Sequence, residues 1–478
     1  MARVIRSGER KVFIGDNRLL LGIVLSMLTY WLFAQSLYNV VPAVQHSLPV
    51  SPGTLSLAIS LSGLFAGCFI VLCGGLADRL GRRRLSYIGL LLSLVGCGIL
   101  VLAQNGAHLL VARALQGISA ACIMPATLAL IKVYYQGARA RQRALSFYVM
   151  GSFVGSALSS LLGGAIAAVL GWRGIFLVSA MVALLAMGLI RHVPESRNDG
   201  EAPALDYAGA ASLTLSLLAL NLTLSKGGEW GWLSGATLLG VLLTGGLLAL
   251  FITTERRLGS RGFVDFSLYR DRGYRAASLS NFFVNCNVST LVIASLYLQR
   301  GLGMTALAAG LMTITYAAAA VAMVRVGEKL LQRIGARLPM LWGCVLIAVG
   351  TVLMTMTFLP KSSYLLGLGI GYLLLGIGIG AYATPSTETA IAQVAKERVG
   401  VAAGLYKMTS ALGGAFGIAV ALALFSAAGA SDAANLAYAG ALPLWVNVAF
   451  SLLAGGVVLW QLPPSAVSSS SSSSSSSA

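Results

Sequence analysis

The chain has 478 residues, of which 57% are hydrophobic and 10% charged, with a mean hydropathy of +0.83, and this composition excludes a soluble globular protein. Its 33 Lys and Arg outnumber its 15 Asp and Glu to give a net charge of +18. The basic residues gather beside apolar runs, as orientation in a bilayer requires, so nucleic acid is not an expected partner.

The basic segment Arg3 to Arg18 leads straight into a full-length apolar run, with no small-residue cleavage site before it. Apolar runs at 19–41, 53–76, 85–103, 107–134, 143–169, 174–190, 206–225, 233–252, 276–298, 306–325, 337–358, 363–386, 400–427 and 438–461 predict fourteen membrane spans. Most of the Lys and Arg fall in alternate loops, which places both termini on the cytoplasmic side. Cys68, Cys73, Cys97, Cys122, Cys286 and Cys344 all lie within the runs without metal or redox spacing; they read as buried thiols, and no metal site is expected.

Between spans 2 and 3 lies Gly74-Gly75-Leu76-Ala77-Asp78-Arg79-Leu80-Gly81-Arg82-Arg83-Arg84. Its glycines allow a tight turn at the membrane surface, its arginines stay out of lipid, and Asp78 supplies a counter-charge. A worn second copy, Gly327 to Gly335, follows span 10 with Gln332 in the place of Asp78. This duplication predicts an all-α polytopic membrane protein of two six-helix bundles plus two extra central helices. The expected divisions are a cytoplasmic N-terminus at 1–18, bundles at 19–190 and 276–461, a linker with two inserted spans at 191–275, and a Ser-rich disordered tail at 462–478.

The pattern G-x-L-A-D-R-x-G-R-R resembles the signature loop of the major facilitator superfamily. The resemblance implies a gating role for Gly74, Asp78, Arg79, Gly81, Arg82 and Arg83. It also implies that Asp78 latches onto the N-terminus of the helix equivalent to span 13, near Gly400, where a carboxylate is favoured.

Span 4 carries Arg113, Gln116 and Gly117 on one face of an otherwise apolar helix. This resembles the superfamily's fourth-helix motif, whose arginine is associated with proton transfer; the alternative is a structural arginine bonding backbone carbonyls of span 1. Span 5 has Ser159-Ser160 where the antiporter motif has Gly-Pro. Span 1 has Phe33 where fourteen-span drug exporters usually carry an aspartate.

Trp31, Gln35, Tyr38 and Pro42 fall on one face of a helical span 1, with Asn39 beside them. Asn281 and Asn285 with Phe282 form a similar face of span 9. Each face suits either a flat, partly polar drug or interhelical packing. Glu388, near the end of span 12, is the acidic residue most clearly inside a span, and an antiparallel hairpin could pair it with Lys407 of span 13. That pair is either a proton-coupling carboxylate competing with cationic substrate or a structural lock.

Together with Ala383 to Thr387, three stretches, Trp31 to Leu37, Ser119 to Leu128 and Gly400 to Met408, resemble the NorB-type quinolone-exporter branch of the fourteen-span drug/proton antiporters. The resemblance implies export of fluoroquinolones and other hydrophobic or cationic drugs by alternating access across a bacterial cytoplasmic membrane. It assigns proton coupling to Glu388, Arg113 and Asp78, with a proton gradient as driving force and no cofactor. Small-molecule drugs, protons and membrane lipids are the expected partners of a monomer. A carrier dedicated to one metabolite, lipid or siderophore is the alternative within the class, and a non-transporting membrane sensor the alternative outside it. No motif supports enzymatic chemistry, and no nucleotide-binding loop is present.

Overall fold

In the computed structural model, residues 14–197, 206–259, 262–392, 394, 399–429 and 435–462 are described. Thirteen helices among them are long and apolar enough to cross a membrane. One of these belongs to a helix of 53 residues, Ala138–Ile190, which at 1.5 Å per residue is more than twice the hydrocarbon thickness. It is two helices joined at Gly171 (φ 70°, ψ 172°), so the fourteen crossings expected from the sequence are all present.

Span 1 covers Asn17–Asn39, span 2 Pro52–Leu80, span 3 Arg82–Val101 and span 4 Gly106–Tyr134, while spans 5 and 6 are the halves of Ala138–Ile190. The second half repeats the plan with span 9 (Arg272–Arg300), span 10 (Ala306–Ile334), span 11 (Arg337–Met354), span 12 (Lys361–Ile391), span 13 (Val399–Ala427) and span 14 (Leu436–Gln461). Span 2 packs on span 4 as span 10 does on span 12, and span 3 on span 4 as span 11 does on span 12. Glycines permit these approaches: a side chain at Gly117 would strike Ser62 and Phe65, and one at Gly376 would strike Tyr316.

The bundles meet where span 2 lies against span 13 and span 5 against span 10. Span 7 (Tyr207–Trp230) lies across the first seam, against both spans 2 and 13, and span 8 (Gly235–Leu258) packs on span 7. Polar contacts tie span 7 to span 2: Ser60 donates to Asn221 at 2.8 Å, and Lys226 Nζ reaches Ser51 and Thr54 at 2.8 and 2.7 Å. Its meeting with span 13 is apolar, through Leu217 and Leu412.

The charged stretch between spans 2 and 3 differs from the expected loop. Gly74 and Gly75 are helical, Asp78 and Arg79 lie in the last turn of span 2, and the whole reversal is made at Gly81 (φ 108°). Span 10 ends the same way at Ile334, with Gly335 (φ 75°) turning the chain into span 11. Only glycine enters that backbone region without strain. The serine tail lies outside the described residues.

Candidate functional site

Span 1 departs from the regular helix assumed for its aromatic and amide face. It opens into a π-turn at Thr29–Ala34, tightens into a 3-10 turn at Gln35–Asn39, breaks at Val40 and restarts as Val41–Ser47. Local chemistry loosens it: Ser26, Thr29 and Ser36 each donate their hydroxyl to a carbonyl three or four residues back, competing with the helix ladder. Trp31, Gln35, Tyr38 and Pro42 therefore do not share a single helical face. Trp31 is half-buried and Gln35 binds Ser156 of span 5 at 2.8 Å, whereas Tyr38 and Asn39 are buried.

The altered winding presents the Ala34 carbonyl to Arg113, whose Nη1 donates to it at 2.8 Å. The same guanidinium binds Gln116 (2.7 Å), Ala58 O (3.1 Å), Ile59 O (3.4 Å) and Ser62 Oγ (2.5 Å). A guanidinium has five N–H donors, and each has an acceptor here. Arg113 is wholly buried and pins spans 1, 2 and 4 together, which is the geometry of the structural alternative.

Asn39 is a cross-bundle contact. Its Nδ2 donates to Ser160 O of span 5 (2.8 Å) and to Ala306 O at the start of span 10 (2.7 Å), while its Oδ1 accepts from Ser295 Oγ of span 9 (2.5 Å). Gln299 adds a bond to the Asn39 carbonyl at 2.8 Å, and Arg300 binds Gln45. All these residues sit at the end of the molecule opposite the arginine-rich loops, which we call the far end; the other is the basic end. The bundles are thus shut at the far end. Replacing Asn39 by Ala removes two of the short cross-bundle bonds, at roughly 1 kcal/mol each, and is expected to shift the bundle equilibrium toward far-end opening by about 30-fold. Spin labels at His46 and Met304 measure this as a new long-distance population; an unchanged distance distribution would remove Asn39 from the gate.

The second-half candidates divide. Asn281 is buried and donates to Tyr406 O (3.2 Å) and Ser410 Oγ (2.6 Å) of span 13, and Asn285 donates back to Asn281. Phe282 turns to Phe416, centroids 5.7 Å apart, and through it to Phe450. Asn281 and Phe282 thus join span 9 to span 13 within the bundle, and Asn285 braces Asn281 from the same helix, rather than the three forming one open face.

The anticipated Glu388 and Lys407 ion pair is not formed: both side chains are exposed, and neither makes an ion pair among the described residues. The two sit at different depths. Glu388 lies three residues from the end of span 12 and Lys407 eight residues into span 13, roughly 4 and 12 Å along the helix axes. Span 13 also turns its main faces elsewhere. Ala411 and Ala415 meet Gly63 and Gly67 of span 2, and Gly413 and Gly417 meet the backbone of Phe282 and Cys286 of span 9. Lys407 projects between those faces, on the side away from Leu412 and Phe416, into the cleft between the bundles. Its exposure leaves accessible space beside the ammonium.

At that end Asp78 accepts from Arg82 Nη2 at 2.9 Å. Its expected latch to the start of span 13 concerns residues 395–398 and the side chains of 399 and 400, which lie outside the described residues. Arg83 donates to Val193 O at 2.7 Å, and the backbone N–H groups of Arg83 and Arg84 donate to Glu195 at 3.0 Å each. Gly81 is held against the Glu195 carboxyl, which leaves no room for a side chain there.

One residue escaped the sequence reading. Glu255 ends an apolar run beside Arg256 and Arg257 and looks like loop, yet it is wholly buried. Its Oε2 accepts from Val264 N at 2.9 Å, beside Asp206 Oδ2 accepting from Phe263 N at 3.1 Å. These carboxyls clamp the connection from span 8 onto spans 9 and 13, where Phe263, Val264 and Leu268 pack with Tyr274 and Tyr406. In the same connection burial pushes the Tyr269 phenol up to about 12, so it stays protonated.

Two bundles of repeated plan, joined at seams and enclosing a cleft, match a known transporter architecture. A family model described as Major Facilitator Superfamily matches residues 19–269 and 277–477. The chain belongs to the major facilitator superfamily. Over 458 residues it is 44% identical to the quinolone resistance protein NorB of Staphylococcus aureus strain COL, covering 95% of this chain and 98% of that protein. The NorB of strain MSSA476 is 44% identical over 456 residues, with the same coverage. Among solved structures, a variant of the nucleoside transporter NupG aligns with a TM-score of 0.67 at 10% identity, covering 94% of this chain and all of that one. A D-xylose-proton symporter aligns at 0.65 and 14% identity, covering 94% and 98%. A bacterial homologue of the lysosomal transporter Spinster, solved inward-facing, gives 0.64 at 16% identity over 94% and 100%. Identities this low carry the fold alone. These superfamily members are transporters, not enzymes.

Proposed function

We propose that this major facilitator protein is a proton-coupled multidrug exporter that carries fluoroquinolones and other amphiphilic drugs by alternating access. Its similarity to NorB supports the substrate class. The observation that carries the reading is Lys407, an exposed ammonium without an ion-pair partner among the described residues, set deep in the inter-bundle cleft. A charge so placed is expensive unless a ligand or water meets it, and the carboxylate of a zwitterionic quinolone is a fitting partner.

In this reading the basic end faces the cytoplasm, following the distribution of Lys and Arg, and the structure is the drug-loading state. Drug enters from the basic end with its carboxylate toward Lys407. Glu388, exposed near that end, is the carboxyl whose protonation state answers to the drug's positive charge. Breaking the Asn39 contacts then opens the far end, and a proton taken up from outside replaces the drug. The proton gradient supplies the energy without a cofactor, and one chain suffices.

Fluoroquinolone flux in proteoliposomes under an imposed pH gradient tests the reading, with Glu388→Gln alongside wild type. Gradient-driven flux in wild type that is lost in the variant, with drug binding retained, is the expected result. Unchanged flux in the variant would remove Glu388 from coupling. An inert wild type would instead favour a carrier dedicated to one metabolite.

A further inference from the structure

We propose that the seam between spans 3 and 6 at the basic end is a binding site for the phosphodiester headgroup of an anionic phospholipid. Two adjoining hollows open there. One, of about 450 Å³, is lined by Arg83, Arg84, Tyr87, Ile88 and Arg191. The other, of about 290 Å³, is lined by Arg18, Gly188, Leu189, Arg191 and His192. Arg191 stands between them and belongs to both.

Among the described residues the local charge balance leaves this seam short of anions. Glu195 accepts from the two backbone N–H groups that open span 3 and lies 3.7 and 3.9 Å from the Nε atoms of Arg83 and Arg84. Asp16 caps span 1 through Leu19 N and lies 3.3 Å from His192 Nε2. Both nearby carboxylates among the described residues are therefore engaged. Arg18 and Arg191 are exposed and have no ion-pair partner among the described residues, and the Arg84 side chain is 70% exposed. An acceptor carrying one or two negative charges would complete them, and guanidinium groups bind phosphate oxygens through paired N–H donors.

What lies beneath the arginines distinguishes a lipid from a soluble phosphate. On span 3 the exposed residues Ile88, Leu91 and Val95 continue down the helix from Arg84 at helical spacing. On span 6 the exposed stripe Met181, Leu184, Leu185 and Gly188 runs up to Arg191. The Tyr87 hydroxyl donates to Met187 O at 2.6 Å and holds the two helices together at the level of the hollows. Two apolar stripes thus descend from a cationic mouth, the form of a headgroup pocket above a track for acyl chains. Orientation rules explain why basic residues crowd this end. They do not require the residues to ring hollows continuous with lipid-facing stripes.

Gly188 provides an independent handle. A Cβ added there would meet no atom within 4 Å, so Gly188→Leu is expected to extend into the smaller hollow, which Gly188 lines. The test is native mass spectrometry of the purified full chain, titrated with phosphatidylglycerol or with phosphatidylcholine of the same acyl chains. The expected result is retention of phosphatidylglycerol at concentrations at least tenfold below those needed for phosphatidylcholine. This preference should vanish in the Arg84→Gln, Arg191→Gln double variant and weaken in Gly188→Leu, while the melting temperature without added lipid stays at the wild-type value in Gly188→Leu. Equal retention of the two lipids by wild type, or a preference that survives the double variant, would overturn the proposal. So would inorganic phosphate competing as well as the lipid, since that would make the acyl stripes irrelevant.

Discussion

Arg113→Ala is expected to lower stability by about 3–5 kcal/mol, because it strands several buried acceptors at once at roughly 1–3 kcal/mol apiece before relaxation. The carbonyls of Ala34, Ala58 and Ile59, with Gln116 and Ser62, all lose a donor. The Ala34 carbonyl is the most exposed to this loss, since it stands where span 1 changes from π to 3-10 winding. Arg113→Lys keeps the charge but offers three donors in place of a planar five, so an intermediate loss is expected. Thermal unfolding in detergent measures both. A variant that melts with wild type would mean that water reaches these carbonyls; Arg113 would then be free to serve proton transfer, as the motif resemblance implies.

The sequence was most readable where a residue's effect is local. Apolar runs marked the spans because a bilayer demands length and little else. The duplicated loop was visible because Gly81 and Gly335 must each take a positive φ, which preserves glycine at both places. Local reading failed where the tertiary partner decides. Gly74 and Gly75 suggest a turn to any propensity rule, but span 2 packs through them to Leu80 as continuous helix. Asn39 suggested a drug contact because an amide in a membrane needs a partner; that partner proved to be the opposite bundle, more than two hundred residues away. Glu255 was hidden by its neighbours Arg256 and Arg257, and only the fold shows that it is buried against Val264.

The same distinction governs Lys407. Hairpin geometry in sequence proposed Glu388 as its partner, whereas span 13 is held by spans 2 and 9 and leaves the ammonium in the cleft. Transport of a carboxylate-bearing quinolone should therefore depend on it strongly. A hydrogen bond between charged groups contributes about 1.5–3 kcal/mol, so Lys407→Gln is expected to reduce kcat/KM for the quinolone by about 10–100-fold. A permanently cationic quaternary ammonium drug has no carboxylate to lose and should be transported within about threefold of wild type or better, since repulsion at the site is removed. Lys407→Arg should keep most quinolone flux, and Lys407→Glu should reverse the preference between the two drugs. The decisive quantity is the ratio of quinolone to quaternary ammonium flux in the same proteoliposomes, which cancels differences in expression and folding. If Lys407→Gln lowers both fluxes equally, the ammonium acts on the bundle equilibrium rather than on substrate, and the carboxylate must be met elsewhere in the cleft.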